Sequence, residues 1–186
     1  MFETLIQKLQ EDKYLTLETT PQHEPSMHNI VEKIKKFKID SKVDGFTCTD
    51  NPLAKLKYNS LFAALKLQQE FKKPVIATMT MRDRNKIALQ SDLLGANDFD
   101  IRAILALTGD PANMSDQPNS KGVFEANSLM LLKMIKSFNY GMDFAGRPFK
   151  IEPKQIFPFA VVNAYAKNFG SLEKKMHLKI QNGAVG

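Results

Sequence analysis

Cysteine is nearly missing from this sequence: Cys48 stands alone among 186 residues. A single thiol forms no internal disulfide and no thiolate zinc cluster. Histidine is scarce as well. His23, His28 and His177 are scattered without metal-ligand spacing, so no metal is expected. No apolar run approaches the roughly 18 residues of a membrane span. The opening Met1-Phe2-Glu3-Thr4 lacks the basic-then-apolar pattern of a secretory signal. The expectation is a cytoplasmic protein with no membrane contact. No Gly-x-Gly-x-x-Gly follows the first apolar run, which disfavours a dinucleotide-binding open sheet.

What remains is ordinary globular composition, 43% hydrophobic and 25% charged, with a net charge of +6. The length suffices for one sizeable core. The lysines cluster as Lys33, Lys35, Lys36 and Lys38, then Lys72-Lys73, then Lys174-Lys175. These runs carry no interleaved aromatic platform, so solvated helix faces explain them better than nucleic acid. A mildly basic surface also suits a phosphate-bearing cofactor or a polyanionic substrate.

Two textures alternate along the chain. Short apolar runs rich in β-branched residues read as buried strands: Tyr14 to Glu18, Val43 to Cys48, Pro74 to Thr80, Arg102 to Thr108 and Phe157 to Tyr165. Stretches with apolar residues three to four apart read as helices: Met27 to Phe37 behind Ser26 as N-cap, Ala54 to Phe71, Asn85 to Leu94 with Gly95 as its stop, Phe124 to Phe138, and Leu172 to Gln181. Strands apolar throughout are buried on both faces and belong to parallel sheets. Repeated βα units imply a doubly wound sheet or a (β/α)8 barrel, and the barrel is preferred here. A barrel needs eight units in about 250 residues. Five are legible, and Gly183-Ala184-Val185-Gly186 reads as the entry to a sixth strand. The expectation is a single α/β domain over residues 1–186, a partial TIM barrel of about five βα units. Phe157, Phe159 and Val161 are expected to lie exposed at its open edge. Two long irregular stretches, Pro111 to Gly122 and Tyr140 to Ile156, interrupt the alternation; the second reads as a hairpin or an insertion.

Barrel active sites lie at the C-terminal ends of the strands. The five ends are Glu18-Thr19-Thr20, Thr47-Cys48-Thr49-Asp50, Thr78-Met79-Thr80, Thr108-Gly109-Asp110 and Asn163-Ala164-Tyr165. A carboxylate at a core's edge, such as Glu18, is partly desolvated and suits a general acid. The same pattern also suits a capping or loop carboxylate. Asp110 follows Gly109, which permits a sharp turn and a close ligand, but Asp-Pro is common in plain turns too.

Three ordered blocks add to this reading. Arg82-Asp83-Arg84-Asn85, Leu89-Gln90-Ser91-Asp92-Leu93-Leu94-Gly95-Ala96 and Ile104-Leu105-Ala106-Leu107-Thr108-Gly109-Asp110-Pro111 follow the order and spacing of one family. The sequence resembles the methylenetetrahydrofolate reductases, most closely the form fused or paired with homocysteine methyltransferases. The resemblance runs from about Tyr14 to the last residue. It implies a (β/α)8 barrel holding FAD at the strands' C-terminal ends. It also implies NADH or NADPH as electron donor and methylenetetrahydrofolate as substrate, reduced to 5-methyltetrahydrofolate for methionine synthesis. By the same resemblance Glu18 is the general acid, and Asp110 tunes the flavin and orients the pterin. Thr47 contacts the flavin, Ala126 lets the backbone approach the cofactor, Tyr165 packs on it, and Lys179 lies near its phosphates. Thr78 stands where many members carry His, and Thr108 where many carry Arg. The family's sixth strand holds a glutamine and aromatics for folate and nicotinamide, and these positions lie beyond the five units. Oligomers of like subunits are usual in the family. Two other readings stay open: a non-catalytic fragment, and a flavin-free folate or corrinoid methyl-transfer barrel.

Overall fold

The computed structural model describes residues 1–11, 13–163, 165 and 168–186. The elements run α1 (Phe2–Glu11), β1 (Thr16–Thr19), α2 (His28–Lys36), β2 (Gly45–Cys48), α3 (Ser60–Phe71), β3 (Val75–Thr80), α4 (Lys86–Asp98), β4 (Ala103–Leu107), α5 (Ser128–Asn139), β5 (Phe157–Ala160) and α6 (Phe169–Gln181). Short 3-10 turns lie at Pro52–Ala54 and Ala112–Met114. The five strands form one sheet in sequential order, and every neighbouring pair is parallel. This is the alternating parallel architecture of a partial (β/α)n barrel.

Side chains alternate across each strand and sort into two layers. Leu17, Phe46, Cys48, Val75, Ala77, Met79, Ile104 and Ala106 pack against the helices with Val31, Leu67, Leu93 and Leu131. The opposite, inner face is apolar at its N-terminal end, where Ile76, Ala103, Leu105, Phe157 and Phe159 meet Phe2 and Leu5 of α1. Helix α1 thus plugs the sheet from below, with the Phe2 and Phe157 rings stacked at 6.3 Å. Gly45 is required at the foot of β2, where a Cβ would stand 2.5 Å from the Pro74 carbonyl oxygen.

Several element boundaries differ from those the sequence suggests. The first strand starts at Thr16 because Asp44 captures what precedes it: its carboxylate accepts from the Leu15 amide and its carbonyl from the Tyr14 hydroxyl. Helix α3 starts at Ser60 and not at Ala54, because Asn59 caps it, accepting from the Leu61 and Phe62 amides. Gly95 does not end α4. It sits in helical conformation, and the helix runs on to Asp98. Helix α5 begins at Ser128 behind the Asn127 cap, so Phe124 to Asn127 are not helical. Helix α6 begins earlier than Leu172, behind the Asn168 cap.

Strand β5 stops at Ala160, and not at Tyr165, because Lys179 of α6 takes the Val161 carbonyl. Ala164, in that expected strand, lies outside the described residues. The sheet does not end bare at β5. Val185 donates to the Pro158 carbonyl at 2.8 Å, and the Ala160 amide donates to Gly186 at 2.9 Å. Pro158, which has no N–H, faces this outer side, where its missing donor costs the β4 pairing nothing. Phe157 and Phe159 are not exposed at this edge. Phe159 is 7% exposed beneath α1, and of the three only Val161 is open to solvent. The segment from Gly141 to Phe149 is a small hairpin, closed by the Met142–Pro148 bridge and packed on α5 through Phe149 and Phe138.

Candidate active site

At the C-terminal ends of β2 and β3 the sheet turns polar and buried. Asp50 is 4% exposed and carries four bonds. Its carboxylate accepts from the Thr80 amide at 3.0 Å, the Thr80 hydroxyl at 2.9 Å and Arg84 Nη1 at 2.6 Å on one oxygen, and from Arg84 Nη2 at 3.3 Å on the other. Arg84 Nε also reaches Asp92 of α4 at 2.7 Å. Burial alone would lower the Arg84 pKa; the Asp50 and Asp92 charges more than offset it and raise the value. A fork-to-carboxylate pair of this kind fixes geometry as well as charge. It locks the β2 and β3 loops to one another.

Asp110 lies one step beyond. Gly109 holds φ at +96°, and a Cβ there would meet Thr80 and Arg82 at 3.2 and 2.9 Å. The turn is therefore open only to glycine. It aims the Asp110 carboxylate at the loop after β2, where it accepts from the Leu53 amide at 2.7 Å. That loop is strained: Asn51, Leu53 and Ala54 all take left-handed φ values. Such residues persist only where their surroundings over-determine them, and they cluster at functional sites.

Glu18 and Thr47 are direct cross-strand neighbours on β1 and β2, and both side chains face the inner side. Glu18 is exposed there, and not partly desolvated as its place at the strand end suggested. The Thr47 hydroxyl is already committed, donating to Thr16 Oγ1 at 3.2 Å. Two residues on, Thr49 Oγ1 is buried without a partner. Gln22 Oε1, in the loop after β1, is likewise buried and unpartnered. From the sequence only Thr47 of this stretch carries a role; Thr49 and Asp50 stand at the same strand end and Arg84 lies in the loop after β3, and only their partners, or the lack of one, separate them. Thr78 is buried and inward by strand alternation, and its carbonyl accepts from Ser60 of α3 at 2.8 Å.

The remaining expected site residues are spread more widely. Ala126 lies two residues before α5, not in its first turn, and packs half-buried against the helix-side core. The Thr108 hydroxyl accepts from the Ser128 amide at the head of that helix. Tyr165 is 95% exposed and packs on nothing described. Lys179 lines a cavity of about 420 Å³ with Val161, Asn163, Asn168, Ser171 and Lys175. Burial first, and then Lys175, hold the Lys179 ammonium below the usual lysine range. A partly desolvated ammonium beside a second, exposed one suits a phosphate or pyrophosphate. Cys48 is not a nucleophile: burial pushes its thiol up to about 12.

Among the described residues no group of three or more His, Cys, Asp and Glu side chains could hold a metal ion. No described helix is long and apolar enough to cross a membrane. Comparison with curated proteins gives no match. Comparison with protein families gives one that spans nearly the whole chain, Methylenetetrahydrofolate reductase, over residues 2–185. With its parallel sheet, its polar strand ends and this match, the chain belongs to the methylenetetrahydrofolate reductase family, which supports a folate-reducing oxidoreductase.

Proposed function

We propose that this chain is the N-terminal part of an FAD-dependent enzyme that reduces 5,10-methylenetetrahydrofolate to 5-methyltetrahydrofolate with NADH or NADPH, feeding methionine synthesis. The observation that carries the reading is the unpartnered, buried Thr49 hydroxyl just past the end of β2, in a chain of this family. Buried hydroxyls without partners await a ligand or water. Thr49, Thr78 and the Gln22 side-chain Oε1 offer the mixed donors and acceptors that a flavin ring takes. Lys179 and Lys175 offer cationic charge for its pyrophosphate. The donor set thus fits the group. FAD supplies, when bound, the hydride chemistry that no side chain provides.

The protein's own share is binding and proton handling. Glu18, exposed on the inner face, protonates the folate amine nitrogen as the five-membered ring opens. Asp110 accepts hydrogen bonds from the pterin, and the Gly109 turn and the Leu53 amide hold it in place. Thr47, with its hydroxyl committed to Thr16, serves better as support for Glu18 than as a direct flavin contact. Tyr165 is free to pack on the cofactor, and the chain before Ser128 passes close to it at Ala126. The pairing of Val185 and Gly186 along β5 supports a sheet that continues into the sixth to eighth strands. Phe62 on α3, Ile87 on α4 and Phe99 just past its end are exposed and support a homo-oligomer.

The test is purification of the full-length protein, followed by a visible absorption spectrum and turnover of methylenetetrahydrofolate with each nicotinamide donor. A yellow protein that oxidises NADH or NADPH over many turnovers only when folate is supplied supports the reading. A colourless protein that moves a methyl group without net redox overturns it in favour of a flavin-free methyl-transfer barrel.

A further inference from the structure

Arg82 is 2% exposed, yet it lies in the loop directly after β3. Its Nε and Nη2 hold the two Asp83 oxygens at 2.8 and 2.7 Å, and Nη2 also donates to the Asn51 carbonyl at 3.0 Å. Its backbone carbonyl accepts from the Val123 amide at 2.6 Å. Its Cβ lies against Gly109, where an added methyl would stand 2.9 Å away. One residue thus ties together the loops after β2, β3 and β4. Nη1 is buried and has no partner. The Asp83 bond first, and then the charges of Asp83, Asp50 and Asp110, raise its pKa.

These contacts converge on a single side chain. Arg82 supports the Gly109 turn that directs Asp110. It also holds Asn51, which sets the left-handed path to Leu53, and Leu53 donates its amide to Asp110. Asp110 is therefore located from its backbone and from its carboxylate through the same guanidinium-bearing residue. We propose that Arg82 is a positioning residue for Asp110, placing that carboxylate for the pterin of the folate. The proposal rests on the reading of Asp110 as the folate-facing carboxylate.

The test uses the full-length protein with its cofactor and the variants Arg82→Lys, Asp110→Asn and the double variant. Arg82→Lys keeps the stem and charge but loses the fork. It is expected to raise the KM for methylenetetrahydrofolate by about tenfold to 100-fold, the scale of a misplacement near 1 Å, with kcat nearly unchanged. In the double variant the KM should match Asp110→Asn alone, because both changes remove one interaction. Additive effects, or equal losses in KM and kcat, overturn the proposal. Hydrogen exchange at the Leu53 amide decides it independently of turnover. Protection should fall in both Arg82→Lys and Asp110→Asn, and unchanged protection in Arg82→Lys overturns the proposal. If the wild type turns over no folate, the functional reading fails, and the exchange result still decides whether Arg82 places Asp110. If Arg82→Lys does not fold, Gly109→Ala takes its place, since its Cβ displaces the same turn. It should lower Leu53 protection, and unchanged protection contradicts the proposal.

Discussion

The two ends of the sheet are filled differently. At the N-terminal ends of the strands, Phe2 and Leu5 of α1 close against Ile76, Ala103, Leu105, Phe157 and Phe159. At the C-terminal ends, Asp50, Arg84, Arg82 and Asp110 bond to one another's loops. The lower end requires only volume and shape, and many apolar side chains would satisfy it. The upper end requires directional bonds between loops distant in sequence, and few substitutions preserve those. In barrel enzymes the first kind of end carries stability and the second carries chemistry.

Mutations can separate these roles. Phe2→Ala removes a fully buried ring from the lower plug and should cost about 3–5 kcal/mol of stability. In the folded fraction, cofactor affinity should not change. A thermal melt beside a cofactor titration checks both. Arg84→Met leaves Asp50 buried without its cation and should cost about 3–5 kcal/mol. Unlike Phe2→Ala, it should also loosen the site and weaken folate binding. If both variants lose stability alone, the two ends do not differ as described. Lys179→Met should weaken cofactor binding by about tenfold, equivalent to about 1.4 kcal/mol, and the loss should shrink as salt rises. Fluorescence titration at two ionic strengths measures it.

The smallest effect lies on the outer surface, between α2 and α3. Lys66 and then Lys35 hold the Glu70 carboxyl down to about 2, from an ordinary value of 4.5. Its contacts are at 2.9 and 3.0 Å. A lowered pKa stabilises the fold above 4.5 and stops doing so as pH falls toward 2. The pairs are exposed and screened, so the difference between wild type and Glu70→Gln should be slight at neutral pH and vanish in acid. Denaturant melts across that range measure it.

The same contrast explains what the sequence disclosed. Parallel strands in sequential order were legible because runs such as Ala103 to Leu107 are apolar on both faces. Helix α1 precedes the first strand and so stands outside the βα alternation, although Phe2, Leu5, Ile6 and Leu9 carry helical spacing. Gly95 looked like a stop, but flanking helix formers and buried Leu93 and Ala96 carry α4 through it. Asp110 could be singled out because Gly and Pro bracket it. The Asp50–Arg84 pair could not, because its members are 34 residues apart and only the folded sheet brings them together. Thr47 and Thr49 are equivalent on paper; the neighbouring Thr16 hydroxyl distinguishes them.

The most direct test of the central claim is the pair of half-reactions in Glu18→Gln, followed by stopped flow in the full-length enzyme. Glu18 faces solvent on the inner side beside Thr47, and the proposed function makes it the acid for folate alone. Flavin reduction by NADH or NADPH should stay near wild type. Reduction of methylenetetrahydrofolate should fall by at least about 100-fold, the lower range for a lost general acid. Equal slowing of both half-reactions would contradict the account and make Glu18 a structural or cofactor-positioning residue.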